Sequence, residues 1–136
     1  MDTETGGIQV KDVVVADDLG RVINPLTAEG QIDGETAQGL GFALYEHAVL
    51  DEGQFLNGNL ADYTVPKAVG LPNFQSIFIE TIDPNGPFGA KGCSECGLNA
   101  CAAVVANAIY DAVGVRMNKI PIRPQDLLKA MREKGV

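Results

Sequence analysis

Two short segments of the chain have the hydrophobic pattern of β-strands. Residues 8–16 alternate between apolar and polar positions and then become continuously apolar and β-branched, which predicts a strand that enters a core. Residues 75–82, QSIFIETI, predict a second strand. Between them, residues 17–25 form a predicted loop, because Gly20 and the pair Asn24–Pro25 interrupt regular structure.

Three segments have helical periodicity. Over residues 27–50, apolar side chains and His47 fall on one face at three- and four-residue spacing. A second helix is predicted from the N-cap Asn99 to the C-cap Gly114, and a short amphipathic helix covers residues 125–134. Each glycine inside a helix costs roughly 1 kcal/mol relative to alanine. We therefore expect close packing against a backbone or a ligand at the glycines of the first helix, which are Gly34, Gly39 and Gly41.

These elements predict one α+β domain over residues 1–136, in which a small mixed sheet packs with about three helices. The net charge of −8 argues against nucleic acid and anionic membranes as partners, because both require a basic surface. No apolar run approaches the roughly 18–20 residues of a membrane span, and the N-terminus lacks the order of a signal peptide. Three cysteines do not suggest a disulfide framework, so we expect a cytoplasmic protein.

The segment from Gly86 to Glu95 carries the strongest candidate chemistry. It combines three glycines, Lys91 and one carboxylate just ahead of the second predicted helix. Glycines let the backbone approach a bound group closely. Glu95 is a candidate general base, because the partial positive charge of a helix N-terminus and the nearby lysine both favour an ionised carboxylate. A carboxylate at a helix start is also typical of a capping residue, so both interpretations stay open on spacing alone.

Other candidate groups are weaker. Gln31 offers a donor and an acceptor that suit a heterocycle, although glutamines are common near helix starts. Cys93 and Cys96 have the C-x-x-C spacing of a zinc site, but a second close pair of ligands is missing. Cys101 falls on the apolar stripe of a helix and is expected in the core, and His47 is expected on a helix face.

Several segments, taken in order along the chain, resemble the C-terminal part of the molybdenum-binding subunit of the xanthine dehydrogenase/aldehyde oxidase family. The resemblance covers nearly the whole chain, and the ordered set is specific although no single segment is. The segments are Asp18–Pro25, Gly30–Gly34, Gln38–Gly41, Ala43–Glu46, Asn57 with Asn59, Asp62–Tyr63, Pro66, Gly86–Gly92, Asn107–Ala112 and Gly114–Val115.

The resemblance implies a molybdenum–molybdopterin cofactor, often present as the cytosine dinucleotide. Glu95 looks like the family glutamate that acts as general base on a molybdenum-bound hydroxide, whose oxygen then attacks an electron-poor carbon. Gln31 is similar to the family glutamine that contacts the pterin. Four further residues fall on the loop that passes the cofactor: Lys91, Gly92, Cys93 and Ser94. Iron–sulfur and flavin groups on partner domains or subunits would receive the electrons.

The sequence departs from the family pattern after the lysine. Members commonly have glycine followed by Glu-Pro-Pro or Glu-Ser-Pro, whereas this chain reads Cys93-Ser94-Glu95-Cys96-Gly97. A non-catalytic α+β binding or assembly module therefore stays open as an alternative. If the chain is catalytic, a purine-like heterocycle is the first expected substrate and an aldehyde the second.

The family subunit is several times longer than this chain. We therefore expect a C-terminal part of such a subunit, with the remainder of the subunit as partner. In isolation, we expect it neither to hold the cofactor tightly nor to turn over substrate.

Overall fold

A computed structural model describes the whole chain, Met1–Val136, and confirms the α+β class with three helices. The strands form one parallel pair and one short antiparallel pair, in two separate sheets. Two single turns of 3₁₀ helix lie at residues 68–70 and 87–89. The elements are β1 (Asp12–Asp18), α1 (Pro25–Leu44), β2 (Leu50–Asp51), β3 (Gln54–Phe55), β4 (Asn73–Ile79), α2 (Cys96–Val113) and α3 (Pro124–Lys134).

The two predicted strands are β1 and β4, and they pair in parallel. Their register runs from Asp12 opposite Asn73 to Asp18 opposite Ile79. Alternate residues of both strands are partly buried, which matches the period-2 pattern of the sequence. Because the strands are parallel, their carboxyl ends lie at the same edge of the sheet.

Helix α1 ends six residues earlier than predicted. Asn24 caps its start by accepting a hydrogen bond from the Thr27 N–H, and the helix ends at Leu44. The predicted helical position of His47 was therefore wrong. Asn57 donates to the His47 carbonyl at 2.7 Å and accepts from the Val49 N–H at 2.8 Å, so its side-chain amide holds residues 47–49 in a non-helical conformation before the β2–β3 hairpin.

Helix α2 begins four residues earlier than predicted, so Asn99 lies inside the helix and is not its N-cap. Asparagine is among the residues favoured at helix N-caps, and the prediction rested on that preference. In the structure the N-cap position is occupied by Glu95. Gly114 is the C-cap, as predicted. It adopts a left-handed conformation, and its N–H donates to the Tyr110 carbonyl.

The hydrophobic core lies among the three helices. Helix α1 contributes Leu40, α2 contributes Val105 and Ile109, and α3 contributes Leu127 and Met131. A further link comes from residues 115–122, where the Ile122 N–H donates to the Ala43 carbonyl at 2.7 Å. The three helices therefore form one packed unit.

By length and mean composition, α2 is apolar enough to cross a membrane, although no continuous apolar run within it reaches this length. The segment contains glycine and asparagines that interrupt its apolar run, but Asp111 is its one charged residue. A single helix of this kind is weak evidence for a membrane span. In this structure α2 packs along α1.

Candidate functional site

The glycine-rich loop returns to the sheet edge where β1 and β4 end. Beyond the strands, the Leu19 N–H donates to the Ile79 carbonyl at 3.1 Å. The Leu19 carbonyl then accepts from the Lys91 N–H at 2.9 Å, and the Gly89 carbonyl accepts from the Arg21 N–H at 2.9 Å. These backbone bonds fix the loop beside the segment that follows β1.

Gly20 makes this approach possible. Its φ is +59°, and a Cβ atom there would lie 2.4 Å from the Gly89 carbonyl oxygen. A side chain at position 20 would therefore be strained and would also push the loop away.

Lys91 is held by two side chains of the same edge. Its Nζ lies 2.6 Å from Asp18 Oδ2 and 2.6 Å from Thr81 Oγ1, and the Thr81 hydroxyl also donates to Asp18 Oδ2. Asp18 Oδ1 accepts from the backbone N–H groups of Gly20 and Thr81. Hydrogen bonds from Lys91 and Thr81 hold the pKa of Asp18 well below its usual range. We name Asp18, Thr81 and Lys91 the loop clamp.

A cleft of about 250 Å³ opens next to the loop clamp, between the loop and the start of α1. It brings together three of the five predicted cofactor-binding residues, namely Gln31, Lys91 and Cys93. The other two, Gly92 and Ser94, are exposed on the same loop and do not line the cleft. The remaining lining residues are Leu19, Arg21, Val22, Ile23, Asn24, Thr27, Ala28 and Ala90.

Arg21 is a cleft residue that the sequence interpretation did not assign. Its side chain is exposed and has no ion-pair or hydrogen-bond partner in the chain, whereas the charge of Lys91 is balanced by Asp18. A planar guanidinium suits a phosphate or a carboxylate. Its place beside Gly20, within the Asp18–Pro25 segment, is the signal that could have identified it.

Glu95 lies at the end of the loop, in the N-cap position of α2. Its φ is +66°, a left-handed conformation that costs a non-glycine residue about 1–2 kcal/mol. The side chain is exposed and makes no capping hydrogen bond, so the interpretation of its carboxylate as a helix cap was wrong. Its backbone carbonyl still accepts from the Asn99 N–H at 3.1 Å.

A second glutamate, which the sequence interpretation missed, caps α2 from outside the helix. Glu35 projects from α1, is only 9% exposed, and its Oε1 accepts from the Gly97 N–H at 2.9 Å. A Cβ atom at Gly97 would lie 2.7 Å from Thr36 Oγ1 and 3.1 Å from Glu35 Oε1, so only glycine permits this contact. The sequence offered no signal, because a charged residue within a helix usually faces solvent.

Comparison with known proteins shows the family of this chain. A family described as the molybdopterin cofactor-binding domain matches residues 1–72, which is just over half of the chain. The chain belongs to this family. Its curated relatives are molybdenum-binding subunits of the xanthine dehydrogenase/aldehyde oxidoreductase family, as the resemblance predicted.

The similarity extends over most of the chain but only a small part of each relative. The gamma subunit of the 6-hydroxypseudooxynicotine dehydrogenase complex of Paenarthrobacter nicotinovorans is 40% identical over 93% of this chain and 16% of its own length. The molybdenum-binding subunit PaoC of an Escherichia coli aldehyde oxidoreductase is 38% identical over 91% of this chain and 17% of its own length. Quinoline 2-oxidoreductase of Pseudomonas putida 86 superimposes with a TM-score of 0.85 and is 32% identical. The superposition covers 92% of this chain and 16% of that structure's chain. The chain thus spans about a sixth of these relatives.

The three thiols of this molybdopterin-binding domain do not form a zinc site. Cys93, Cys96 and Cys101 are all free, and no group of three or more histidine, cysteine or acidic side chains comes together. Burial raises the pKa of each thiol, and the negative charge of Glu35 raises it further. These cysteines are therefore protonated thiols near neutral pH.

Proposed function

We propose that the chain forms one wall of the active site of a molybdenum hydroxylase. The observation that carries this proposal is the cleft that gathers Gln31, Lys91 and Cys93 at the carboxyl edge of β1 and β4, with Glu95 at the end of the same loop. Family membership supports the assignment of a molybdopterin cofactor to this region.

The residues of the cleft fit a molybdopterin. Gln31 is exposed at the cleft, where its amide can donate to and accept from the edge of a pterin ring. Arg21 supplies an uncompensated positive charge for a phosphate. An added Cβ at Gly30 or Gly34 would meet nothing within 4 Å, so this side of α1 is open to a large group. When bound, the molybdenum–pterin group supplies the redox chemistry.

Within that site we assign the role of general base to Glu95. Its carboxylate is exposed and free of any capping bond, and it stands at the partially positive start of α2. The carboxylate accepts the proton released when water serves as the oxygen source for hydroxylation. We assign Gly92, Cys93 and Ser94 to cofactor contact, because they connect the clamped Lys91 to Glu95.

The proposed substrate is a purine-like heterocycle that is hydroxylated at an electron-poor carbon. An aldehyde is the second candidate, since the similar proteins include an aldehyde oxidoreductase as well as enzymes named for xanthine and quinoline. Iron–sulfur and flavin domains or subunits would accept the electrons. We propose a cytoplasmic location, in keeping with the three free thiols.

The remainder of the molybdenum-binding subunit is the proposed partner. An apolar groove of about 720 Å³ lies between β1 and α2, and most of the residues that line it are hydrophobic. Val14 and Val104, which line it, are 59% and 57% exposed. We name it the β1–α2 groove and propose that the remainder of the subunit covers it. The isolated chain should therefore lack tightly bound molybdenum, and stoichiometric metal in it would contradict this.

A non-catalytic assembly module is the second candidate function. The observation that favours it is the run from Cys93 to Gly97, in which Cys96 and Gly97 follow Glu95 where the family resemblance implies Pro-Pro or Ser-Pro. Substrate turnover by the assembled subunit separates the two candidates. An assembly module would allow cofactor loading or association with the remainder of the subunit, but the assembled subunit would not turn over substrate.

The cofactor assignment is tested by comparing two glutamines of α1 in the assembled subunit. Gln31→Ala removes the amide at the cleft and should lower molybdenum content several-fold, because an unpaired polar edge of the pterin would be left behind. Gln38→Ala is the matched control, since Gln38 is exposed on the same helix and does not line the cleft. Equal molybdenum content in the two variants would contradict the assignment.

A further inference from the structure

Glu35 is a buried carboxylate that the proposed chemistry does not use. It lies on α1, is 9% exposed, and its Oε1 accepts the Gly97 N–H at 2.9 Å. Its other oxygen, Oε2, is buried without a hydrogen-bond partner. A buried, half-satisfied carboxylate is a costly way to stabilise a protein.

The position of this carboxylate explains what it does. The first turn of every helix leaves backbone N–H groups without partners, and a residue at the N-cap usually satisfies one of them. In α2 the N-cap residue is Glu95, whose side chain makes no such bond. Glu35 supplies the missing acceptor from α1, and the positive end of α2 favours its negative charge.

We propose that Glu35 is a positioning residue for Glu95. By capping α2 from the neighbouring helix, it fixes the first turn and leaves the Glu95 carboxylate free to accept a proton. The close approach at Gly97 makes the contact rigid, because Thr36 and Glu35 pack directly against the glycine backbone. This inference rests on the proposed role of Glu95 as the base.

The test uses two substitutions of similar length in the assembled, cofactor-loaded subunit. Glu35→Gln keeps an acceptor for the Gly97 N–H, whereas Glu35→Met removes it. Glu29→Met is the matched control, because Glu29 is exposed on the same helix and has no hydrogen-bond partner. The readouts are amide hydrogen exchange at Gly97, molybdenum content, and the rate of molybdenum reduction per loaded site with xanthine or benzaldehyde, whichever the wild type oxidises faster.

In Glu35→Met we expect Gly97 exchange to accelerate and the reduction rate per loaded site to fall, each by about tenfold or more, as for a lost hydrogen bond to a charged group. Glu35→Gln should retain most of the protection of Gly97 from exchange and most of the reduction rate. Glu29→Met should match the wild type in both. An unchanged reduction rate in Glu35→Met, or an equal loss in Glu35→Gln, would overturn the positioning role.

Two further variants cover a failure of Glu35→Met to assemble and an incorrect assignment of Glu95 as the base. If Glu35→Met does not assemble, Glu35→Asp retains the charge but falls one methylene short of Gly97, and an unchanged reduction rate there overturns the proposal. Glu95→Gln is measured in parallel. A normal rate in Glu95→Gln would overturn both proposals, whereas a loss there with a normal rate in Glu35→Met overturns only the role of Glu35.

Discussion

At the scale of single residues, Asp18 and Lys91 determine the conformation of the loop that ends at Glu95. The Lys91 ammonium is shared between Asp18 and Thr81. Its main contribution is therefore to hold the loop at the sheet edge, and the free positive charge in the cleft belongs to Arg21. A lysine beside a predicted base thus acts on it indirectly, through the backbone of the loop.

The loop clamp predicts a specific pH dependence. Because the folded-state pKa of Asp18 is lowered, the stability it contributes is fully present above its unfolded pKa of about 3.9 and is lost as the pH falls through its folded pKa. Asp18→Asn should therefore reduce the free energy of unfolding by a constant amount between about pH 6 and pH 8. In stronger acid the difference from the wild type should shrink.

Urea denaturation at a series of pH values measures this difference. Asp111→Asn is the control, because Asp111 is exposed on α2 without a hydrogen-bond partner and its substitution should change stability little. A difference for Asp18→Asn that grows toward acid pH would contradict the clamp, since it would require a raised pKa in the folded state.

At the scale of elements, the contact between α1 and α2 depends on a glycine. A Cβ atom at Gly39 would lie 2.7 Å from the Cβ and Sγ atoms of Cys101 and 2.9 Å from the Leu98 carbonyl oxygen. Gly39→Ala should lower the free energy of unfolding by about 1–3 kcal/mol, because the helices must separate to accommodate the methyl group.

Gly34→Ala provides the matched comparison in urea denaturation. An added Cβ at Gly34 meets nothing within 4 Å, so alanine should stabilise the isolated chain by up to about 1 kcal/mol through its helix propensity. Equal effects at the two positions would show that the helices are not in close contact at Gly39.

The sequence predicted the elements better than their ends or their pairing. The alternation of residues 75–82 was enough to identify β4, and the amphipathic pattern was enough for α3. The end of α1 depends on the side chain of Asn57, and the start of α2 depends on Glu35, each of which lies at least ten residues away along the chain. Local patterns carry no information on such contacts.

The candidate site was likewise only partly predictable. Family resemblance assigned roles to Glu95 and Gln31, which stay predictions, and spacing alone left the capping interpretation of Glu95 open. The loop clamp joins Asp18 to Lys91 across 73 positions of the chain, so it could not be read from spacing. Arg21 was within a recognised segment, but its role depends on the absence of an ion-pair partner, which the folded chain reveals.

At the scale of the whole molecule, the β1–α2 groove is the surface through which we expect assembly. Val104→Asp places a charge in the groove and should greatly weaken association with the remainder of the subunit, because that charge would be buried without a partner. The isolated variant should stay folded, since Val104 is 57% exposed. Copurification of the two parts, with circular dichroism of the isolated variant, measures both effects.

Val69→Asp is the control for this substitution. Val69 is fully exposed and lies outside the groove, so the variant should assemble like the wild type. Normal association of Val104→Asp would mean that the groove is not the assembly surface.

The central claim, that Glu95 is the base of a site built partly by this chain, is tested most directly by Glu95→Gln in the assembled, cofactor-loaded subunit. Glu52→Gln is the control, because Glu52 is also an exposed glutamate with positive φ, but it lies in the β2–β3 turn. Removal of a general base typically costs about 10²–10⁴-fold in rate. We predict at least about a 100-fold loss of substrate-driven molybdenum reduction in Glu95→Gln, with unchanged molybdenum content and a normal rate in Glu52→Gln. A near-normal rate in Glu95→Gln would contradict the account.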